Sequence, residues 1–305
     1  MKKFLSLFAL LTIISLNGKL LGIIRDTLIL SLEDSNALVI PFIKIWFVIP
    51  TSMLLVGLYS KLRKRLDNPK TFSLLTAIFC SFFLFFAFFI RPNIASLQAI
   101  SLYRFLLTIL PASSSVFLAA IRDWPYTVFF LAAEMWTTFM FSFLFWSLAS
   151  ELVTKSESKN FYGYFSLDIA GILAGGTSLL LSHFYDHHFD SYLKSATFFI
   201  VCTGIVQVLL YHFAFWKFRH PITSKKSDTL TSESEAEEPQ EDKRPFYVNL
   251  FLLVFSFEFC DHFLEIIWKN HLQLFYTTAD SLSIFMSKFI FYTGIVGVLI
   301  TIFVS

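Results

Sequence analysis

Charged residues are scarce in this sequence: they make up 15% of its 305 residues, and the formal net charge is only +2. A soluble globular domain carries about 25% charged residues, so an ordinary soluble globule is excluded. The basic residues form no stripe interleaved with aromatics outside the apolar stretches. We therefore expect no nucleic-acid partner.

Cysteines and catalytic motifs are equally sparse. Cys80, Cys202 and Cys260 lie in apolar segments without a CxxC spacing, which indicates buried hydrophobic side chains and neither a disulfide framework nor a metal site. The sequence contains no GxxxxGK[ST] phosphate loop, G-x-S-x-G elbow or H-E-x-x-H pair, and no nucleophile stands beside a base. We expect a protein that is not an enzyme and carries no cofactor.

Apolar residues are abundant, since 56% of the chain is hydrophobic and 40 residues are phenylalanine. About 20 apolar residues cross a hydrocarbon core of about 30 Å, so each such run is a candidate membrane span. The stretch 97–118 contains Arg104 and a PASSS run, which predicts an interfacial or re-entrant segment. The sequence predicts an all-α, polytopic transmembrane helix bundle with eight spans, at 4–24, 38–60, 72–90, 123–149, 161–184, 192–216, 246–268 and 281–305.

The basic residues of the loops predict the orientation of the chain. If the N-terminus is cytoplasmic, 15 of the 24 basic residues fall on the cytoplasmic side, as the positive-inside rule requires. Region 218–245 is polar and charged, which predicts a disordered cytoplasmic linker. We therefore predict a six-helix bundle over 1–217, then this linker, then the first two helices of a second, incomplete bundle over 246–305.

Glu134 is the one carboxylate in the apolar run LAAEMWTTFMFSFLFW. A charge at membrane depth costs at least about 2.5–3.5 kcal/mol on insertion scales, so it persists where it faces a partner, a cavity or a substrate. Glu134, Thr138 and Ser142 fall at i, i+4 and i+8 and form one polar stripe on a helix. This side of the helix is predicted to face a wet interior, with a structural pair to a lysine as the alternative.

Charges near helix ends allow two interpretations each. Arg25 and Asp26, in IIRDTLIL, either pair locally at the membrane interface or face the interior. Lys44, in IPFIKIWFVIP, either reaches the headgroups from its position near a helix start or points into the bundle.

A cluster of charge lies in SFEFCDHFLEIIWKNHL. Glu258, Asp261, Glu265 and Lys269 recur at i, i+3, i+7 and i+11, which places them on one helix face beside His262. We predict no metal site here, because the Glu-x-x-His pairing that such sites need on two helices is not repeated in the chain. The histidine-rich HFYDHHFD stretch is predicted to be a solvated external loop. Isolated charges of both signs within one bundle are best explained by a translocation pathway.

Six segments resemble, in order and spacing, the ATP/ADP translocases of plastids and obligate intracellular bacteria. They are IIRDTLIL, IPFIKIWFVIPTSMLLVGLYSKL, AAEMW followed by FLFW, KNFYGYFSL, FLEIIWKNHL and SIFMSKFIFYTGI. The resemblance runs from about residue 20 to the C-terminus. It implies a bundle similar to the major facilitator type that exchanges ADP for host ATP or moves other nucleotides, in the inner membrane of an intracellular bacterium.

The resemblance also implies site residues. The family needs a lysine of I-P-F-x-K, a glutamate of A-E-x-W and a glutamate of E-x-x-W-K for transport, which correspond to Lys44, Glu134 and Glu265. We expect Lys44, with Arg25 or Lys269, to bind the phosphates of ATP and ADP. The two glutamates are expected to pair with lysines when the site is empty.

The length of the chain departs from that family. The family has about twelve spans, and its later functional lysine lies in a region that this sequence does not contain. The sequence therefore predicts a C-terminally truncated member. Alternatives are a non-transporting membrane fragment, a subunit completed by a second polypeptide, and an ion-coupled transporter of another nucleotide or solute.

Overall fold

The computed structural model describes residues 2–32, 38–111, 114–154, 157, 168–185, 188–218 and 244–304. These residues are overwhelmingly helical and include no strand, so the predicted all-α class is confirmed. Most of the predicted linker at 218–245 lies outside the described residues. The same is true of the first part of the span predicted at 161–184.

The described residues form ten helices, three of which contain a π-helical segment. They are α1 Lys2–Leu30, α2 Val39–Arg63, α3 Asn68–Leu97, α4 Ile100–Ile109, α5 Ser115–Arg122, α6 Trp124–Leu152, α7 Ile169–Phe184, α8 Phe189–Phe218, α9 Arg244–Phe275 and α10 Ala279–Val304.

Six of these helices are long and apolar enough to cross a membrane: α1, α2, α3, α6, α8 and α10. Helix α7 is described over only 16 residues. Helix α9 has 32 residues but carries charges along its length, including Asp261, Glu265 and Lys269. A polytopic helix bundle is therefore established, whereas the total of eight spans stays a prediction.

The stretch predicted to be interfacial or re-entrant contains two short helices, α4 with 10 residues and α5 with 8. The backbone turns to an extended conformation at Gln98 before α4 and at Leu110 after it. At 1.5 Å per residue the two helices are about 15 Å and 12 Å long, so neither crosses the hydrocarbon core.

Helix α1 lies inside the bundle and contacts α6, α7, α8 and α10. Its apolar residues surround the whole helix, which is the pattern of a helix buried on all sides. Some polar side chains inside the bundle pair with one another: the Thr203 hydroxyl donates to Asn17 Oδ1 at 2.6 Å, and Asn17 Nδ2 lies 3.5 Å from Gln207 Oε1. These bonds join α1 to α8 in a region where unpaired polar groups are costly.

Glycines bring α7 and α10 into close contact. A Cβ on Gly175 would lie 2.5 Å from the backbone nitrogen of Phe291, and a Cβ on Gly294 would lie 2.6 Å from that of Ile172. Both distances are too short for any side chain, so the two backbones approach as far as glycine allows. The crossing fastens α10, which follows the predicted linker, to a helix that precedes it.

Candidate functional site

The five residues predicted to form the site come from four helices and belong to one connected set of ion pairs. Arg25 lies on α1, Lys44 on α2, Glu134 on α6, and Glu265 and Lys269 on α9. The set is completed by Asp26, and we call these six residues the ion-pair chain.

Each contact in the ion-pair chain is short. From one end to the other, the distances are 2.7 Å for Glu134 Oε1 to Arg25 Nη1, 3.3 Å for Arg25 Nε to Asp26 Oδ1, 2.9 Å for Asp26 Oδ2 to Lys269 Nζ, 2.7 Å for Lys269 Nζ to Glu265 Oε1, and 2.8 Å for Glu265 Oε2 to Lys44 Nζ. Charges that are 221 residues apart in sequence, at Lys44 and Glu265, thereby meet across α2 and α9.

The ion-pair chain is electrically balanced, with three cations and three carboxylates. Its middle is the most buried part, since the side chains of Asp26 and Lys269 are 7% and 3% exposed. Lys44 and Glu265 are 21% and 23% exposed. A buried charge is tolerated when it is paired, and the pairing here is complete.

A cavity of about 520 Å³ lies against the ion-pair chain, between α2 and α9. Its polar lining comes from Lys44, Glu134, His262, Glu265 and Lys269. The rest of the lining is apolar or aromatic, from Ile40, Pro41, Ile45, Val48, Ile49, Phe255, Phe259, Phe263 and Ile266. Such a site, largely apolar with a few convergent charges, is typical of small-molecule binding.

Helix α9 contributes less of its predicted charged face than the spacing suggests. Glu265 and Lys269 enter the ion-pair chain, whereas Asp261 is exposed. The side chain of Glu258 lies outside the described part. His262 is exposed too, but its Nδ1 lies 3.2 Å from Glu265 Oε2. It is therefore a titratable neighbour of the glutamate that holds both lysines.

One residue of the site lies at an irregular helix turn, and another lies shortly before one. The π-helical segment Lys44–Val48 of α2 begins at Lys44 and ends just before Pro50. Proline has no N–H and its ring crowds the carbonyl four residues earlier, so the helix widens there. In α6 a π-helical segment, Thr137–Phe145, starts three residues after Glu134. Such segments are frequent at functional sites because they redirect side chains.

The expected lysine partner of Glu134 needs correction. Glu134 pairs with Arg25 and not with a lysine, because α1 packs against α6 and turns its arginine toward that helix. Arg25 and Asp26 do pair locally, but each also bonds a residue on another helix. The local ion pair is thus one link of a longer chain.

Sequence reasoning also missed an ion pair between α1 and the start of α7. Lys19 Nζ lies 3.0 Å from Asp168 Oδ2, which joins α1 to the residue before α7. Both side chains are about one third exposed. The signal was available, because Lys19 is a charge within an apolar run and such charges seek partners.

Neither tryptophan near the site residues lines the cavity. Trp136 is fully buried against Phe79 and Phe83, and Trp46 is 66% exposed beside Phe42. The aromatic wall of the cavity comes from the phenylalanines of α9 instead.

A sequence model of the TLC ATP/ADP transporter family matches residues 1–305. The chain belongs to this family. It is 28% identical to ADP,ATP carrier protein 1 of Chlamydia trachomatis serovar D over 100% of the chain and 61% of that carrier. It is 26% identical to ADP,ATP carrier protein 2 of Chlamydia pneumoniae, over 99% of the chain and 61% of that carrier. It is 29% identical to ADP,ATP carrier protein 5 of Rickettsia bellii, over 98% of the chain and 63% of that carrier.

The chain thus spans about three fifths of the length of these TLC-family relatives. No solved structure matches it. Family membership and the apolar helices together identify a multi-pass integral membrane protein.

Proposed function

We propose that this member of the TLC family exchanges adenine nucleotides, ATP for ADP, across a membrane. The observation that carries the proposal is the ion-pair chain beside the cavity, where three cations converge inside a helix bundle. Nucleotide phosphates are multiply charged anions, and cations are what such a site needs. The relatives named as ADP,ATP carriers support the choice of nucleotide.

Lys44 is the cation proposed to receive the phosphates first. It lines the cavity and is 21% exposed, whereas Lys269 is 3% exposed. In the empty site Lys44 is held by Glu265, so an incoming phosphate competes with that carboxylate. Glu265 keeps its bond to Lys269 when Lys44 leaves, and no carboxylate is stranded without a cation.

Displacement of the Lys44–Glu265 pair links binding to conformation. This pair joins α2 to α9, so a phosphate that takes Lys44 removes a tie between the two helices. A ligand shifts a conformational equilibrium only through contacts that differ between the two states. Loss of this tie is such a difference, and transporters alternate between states by moving helix groups around a fixed site.

The base of the nucleotide is proposed to stack on the phenylalanines of α9. Phe255, Phe259 and Phe263 follow one another at i+4 spacing, with ring centroids 6.2 Å and 6.4 Å apart, and all three line the cavity. Their rings are more than half exposed, so a planar base could pack on them.

The cell location is proposed from two observations. The relatives come from Chlamydia and Rickettsia, which favours the inner membrane of an intracellular bacterium. The distribution of basic residues among the loops favours a cytoplasmic N-terminus.

Uptake of labelled ATP by cells that express the chain tests the proposal. We expect Lys44→Ala and Glu134→Ala to lower uptake at least tenfold, and the exposed Lys64→Ala to leave it near the wild-type rate. Membrane insertion of each variant is measured in parallel. Equal uptake by all variants would show that Lys44 and Glu134 do not have the proposed roles in transport. No uptake by inserted wild-type protein would favour the alternative of a non-transporting membrane protein.

A further inference from the structure

A second cavity, of about 540 Å³, lies at the end of the bundle where α1 stops. We call it the mouth cavity. Its lining is more polar than that of the first cavity and includes three arginines: Arg91 from α3, Arg104 from α4 and Arg122 from α5. The remaining lining residues are Ser31, Leu32, Gln98, Ile100, Tyr103, Asp123, Tyr126 and Ala279. None of these residues belongs to the ion-pair chain.

Two of the arginines are held in place by partners. Arg91 Nε donates to Asp190 Oδ1 at 2.8 Å, and Arg91 Nη1 donates to the Tyr126 hydroxyl. Arg122 bonds Asp123 through Nε at 2.9 Å and Nη2 at 2.8 Å. A guanidinium has five N–H donors, so each retains donors for a ligand without losing its support.

Arg104 differs from the other two arginines of the mouth cavity. It is exposed, and it makes no ion pair with any residue in the described ranges. The three arginines outnumber Asp123 and Asp190 by one charge. Counted over the residues that the structure describes, the mouth cavity is therefore net positive, whereas the ion-pair chain is balanced. An anion can bind at the mouth without displacing a carboxylate, which is not possible at Lys44.

The mouth cavity is near the ion-pair chain along α1. Ser31 lines the mouth and Arg25 lies six residues earlier, so about 9 Å of helix separates them at 1.5 Å per residue. The end of α9 reaches the same region, because Gln273 Nε2 donates to the Leu30 carbonyl at 3.0 Å. A ligand that leaves the mouth is thus one helix turn or two from the first cation of the ion-pair chain.

We propose that Arg91, Arg104 and Arg122 form a recruitment site that takes the phosphate chain of a nucleotide before it reaches Lys44. The proposal rests on the function proposed above. Guanidinium groups bind phosphate oxygens through paired N–H donors. A net positive mouth also raises the local concentration and the arrival rate of anions, an effect that falls as ionic strength rises.

The test is binding of labelled ATP to the purified full chain in phosphatidylcholine nanodiscs, at low and at high salt. Lys44→Gln removes the exposed cation that is proposed to receive phosphates in the first cavity, so binding at the mouth cavity contributes most of what remains. We expect Arg104→Gln in that background to weaken the remaining binding about tenfold, with most of the loss at low salt. Lys194→Gln is the matched control: it removes one positive charge at the same end of the bundle, and it does not line the mouth cavity. It should change binding less than twofold.

The possible results separate this proposal from the function on which it rests. If Arg104→Gln lowers ATP binding but the wild-type protein does not transport, the recruitment site is supported and the proposed nucleotide exchange is wrong. If Arg104→Gln leaves ATP binding unchanged, or if Lys194→Gln lowers it equally, the recruitment site is refuted even when transport is normal. Nanodiscs with phosphatidylglycerol distinguish a lipid headgroup from a nucleotide. If Arg104 governs retention of that lipid and not ATP binding, the proposal is wrong.

Discussion

Lys269 gives the sharpest test of the balance within the ion-pair chain. Its amino group, on a side chain that is 3% exposed, bonds both Asp26 and Glu265. Lys269→Met keeps a similar length and apolar stem but leaves three carboxylates against two cations. Breaking a buried ion pair by removal of one partner costs about 3–5 kcal/mol.

The expected cost is smaller here, because neither acid is left alone. Asp26 keeps Arg25 at 3.3 Å and Glu265 keeps Lys44 at 2.8 Å. We expect Lys269→Met to lower the free energy of unfolding by about 2–3 kcal/mol. The double variant Lys269→Met with Asp26→Asn has balanced charge again, and it should recover about 1–2 kcal/mol of this loss.

Unfolding in detergent, followed by circular dichroism, measures these differences. Lys70→Met near the start of α3 is the control, because Lys70 is exposed and lies outside the ion-pair chain. It should change the free energy of unfolding by less than about 0.5 kcal/mol. A double variant less stable than Lys269→Met alone would refute the reasoning from charge balance.

Two further predictions concern the aromatic wall and the helix crossing. Phe259→Ala should raise the KM for ATP about tenfold, since stacking of a base on an aromatic ring contributes about 1–3 kcal/mol. Phe251 belongs to the same row of rings but lies outside the cavity, so Phe251→Ala should leave the KM unchanged. Equal effects of the two substitutions would contradict the stacking. Gly175→Ala should destabilise the protein by about 1–3 kcal/mol, because the added Cβ would meet the Phe291 backbone. Gly176→Ala is the control, since a Cβ there would lie 3.7 Å from the nearest atom. Thermal unfolding compares the two variants, and equal midpoints would contradict the close crossing.

The membrane class and the helices of the fold follow from composition and run length. A run such as 281–305 is long and mostly apolar, so a membrane helix is the structure it favours. The stretch 97–118 was also predictable as a break, because Arg104 and Pro111 are costly within a span. Length alone does not establish α9 as a membrane span. It forms one long helix, but its charges lower its hydropathy.

The site residues were predictable one by one, but their connections were not. Depth in an apolar run singles out Glu134, and the resemblance adds Lys44 and Glu265. The partner of each depends on how helices rotate and cross, which local sequence does not specify. Arg25 reaches Glu134 because α1 packs on α6, and Asp26 reaches Lys269 because α9 returns to the same end of the bundle.

The arginines of the mouth cavity carried a weaker signal in the sequence. Arg91 directly follows the span predicted at 72–90, and Arg122 is the last residue of α5; basic residues are common at such positions and need no special explanation. Only the fold of α3, α4 and α5 brings them beside Arg104. Clusters formed by short helices between spans are therefore hard to predict from one sequence.

Exchange by the purified chain in proteoliposomes tests the central claim most directly, namely that nucleotide phosphates displace Glu265 from Lys44. Vesicles are loaded with labelled ATP, and its release is measured with and without external ADP. We predict release that requires external ADP, that is lost in Lys44→Ala and that persists in Lys64→Ala. Release at the wild-type rate from Lys44→Ala vesicles would contradict the claim.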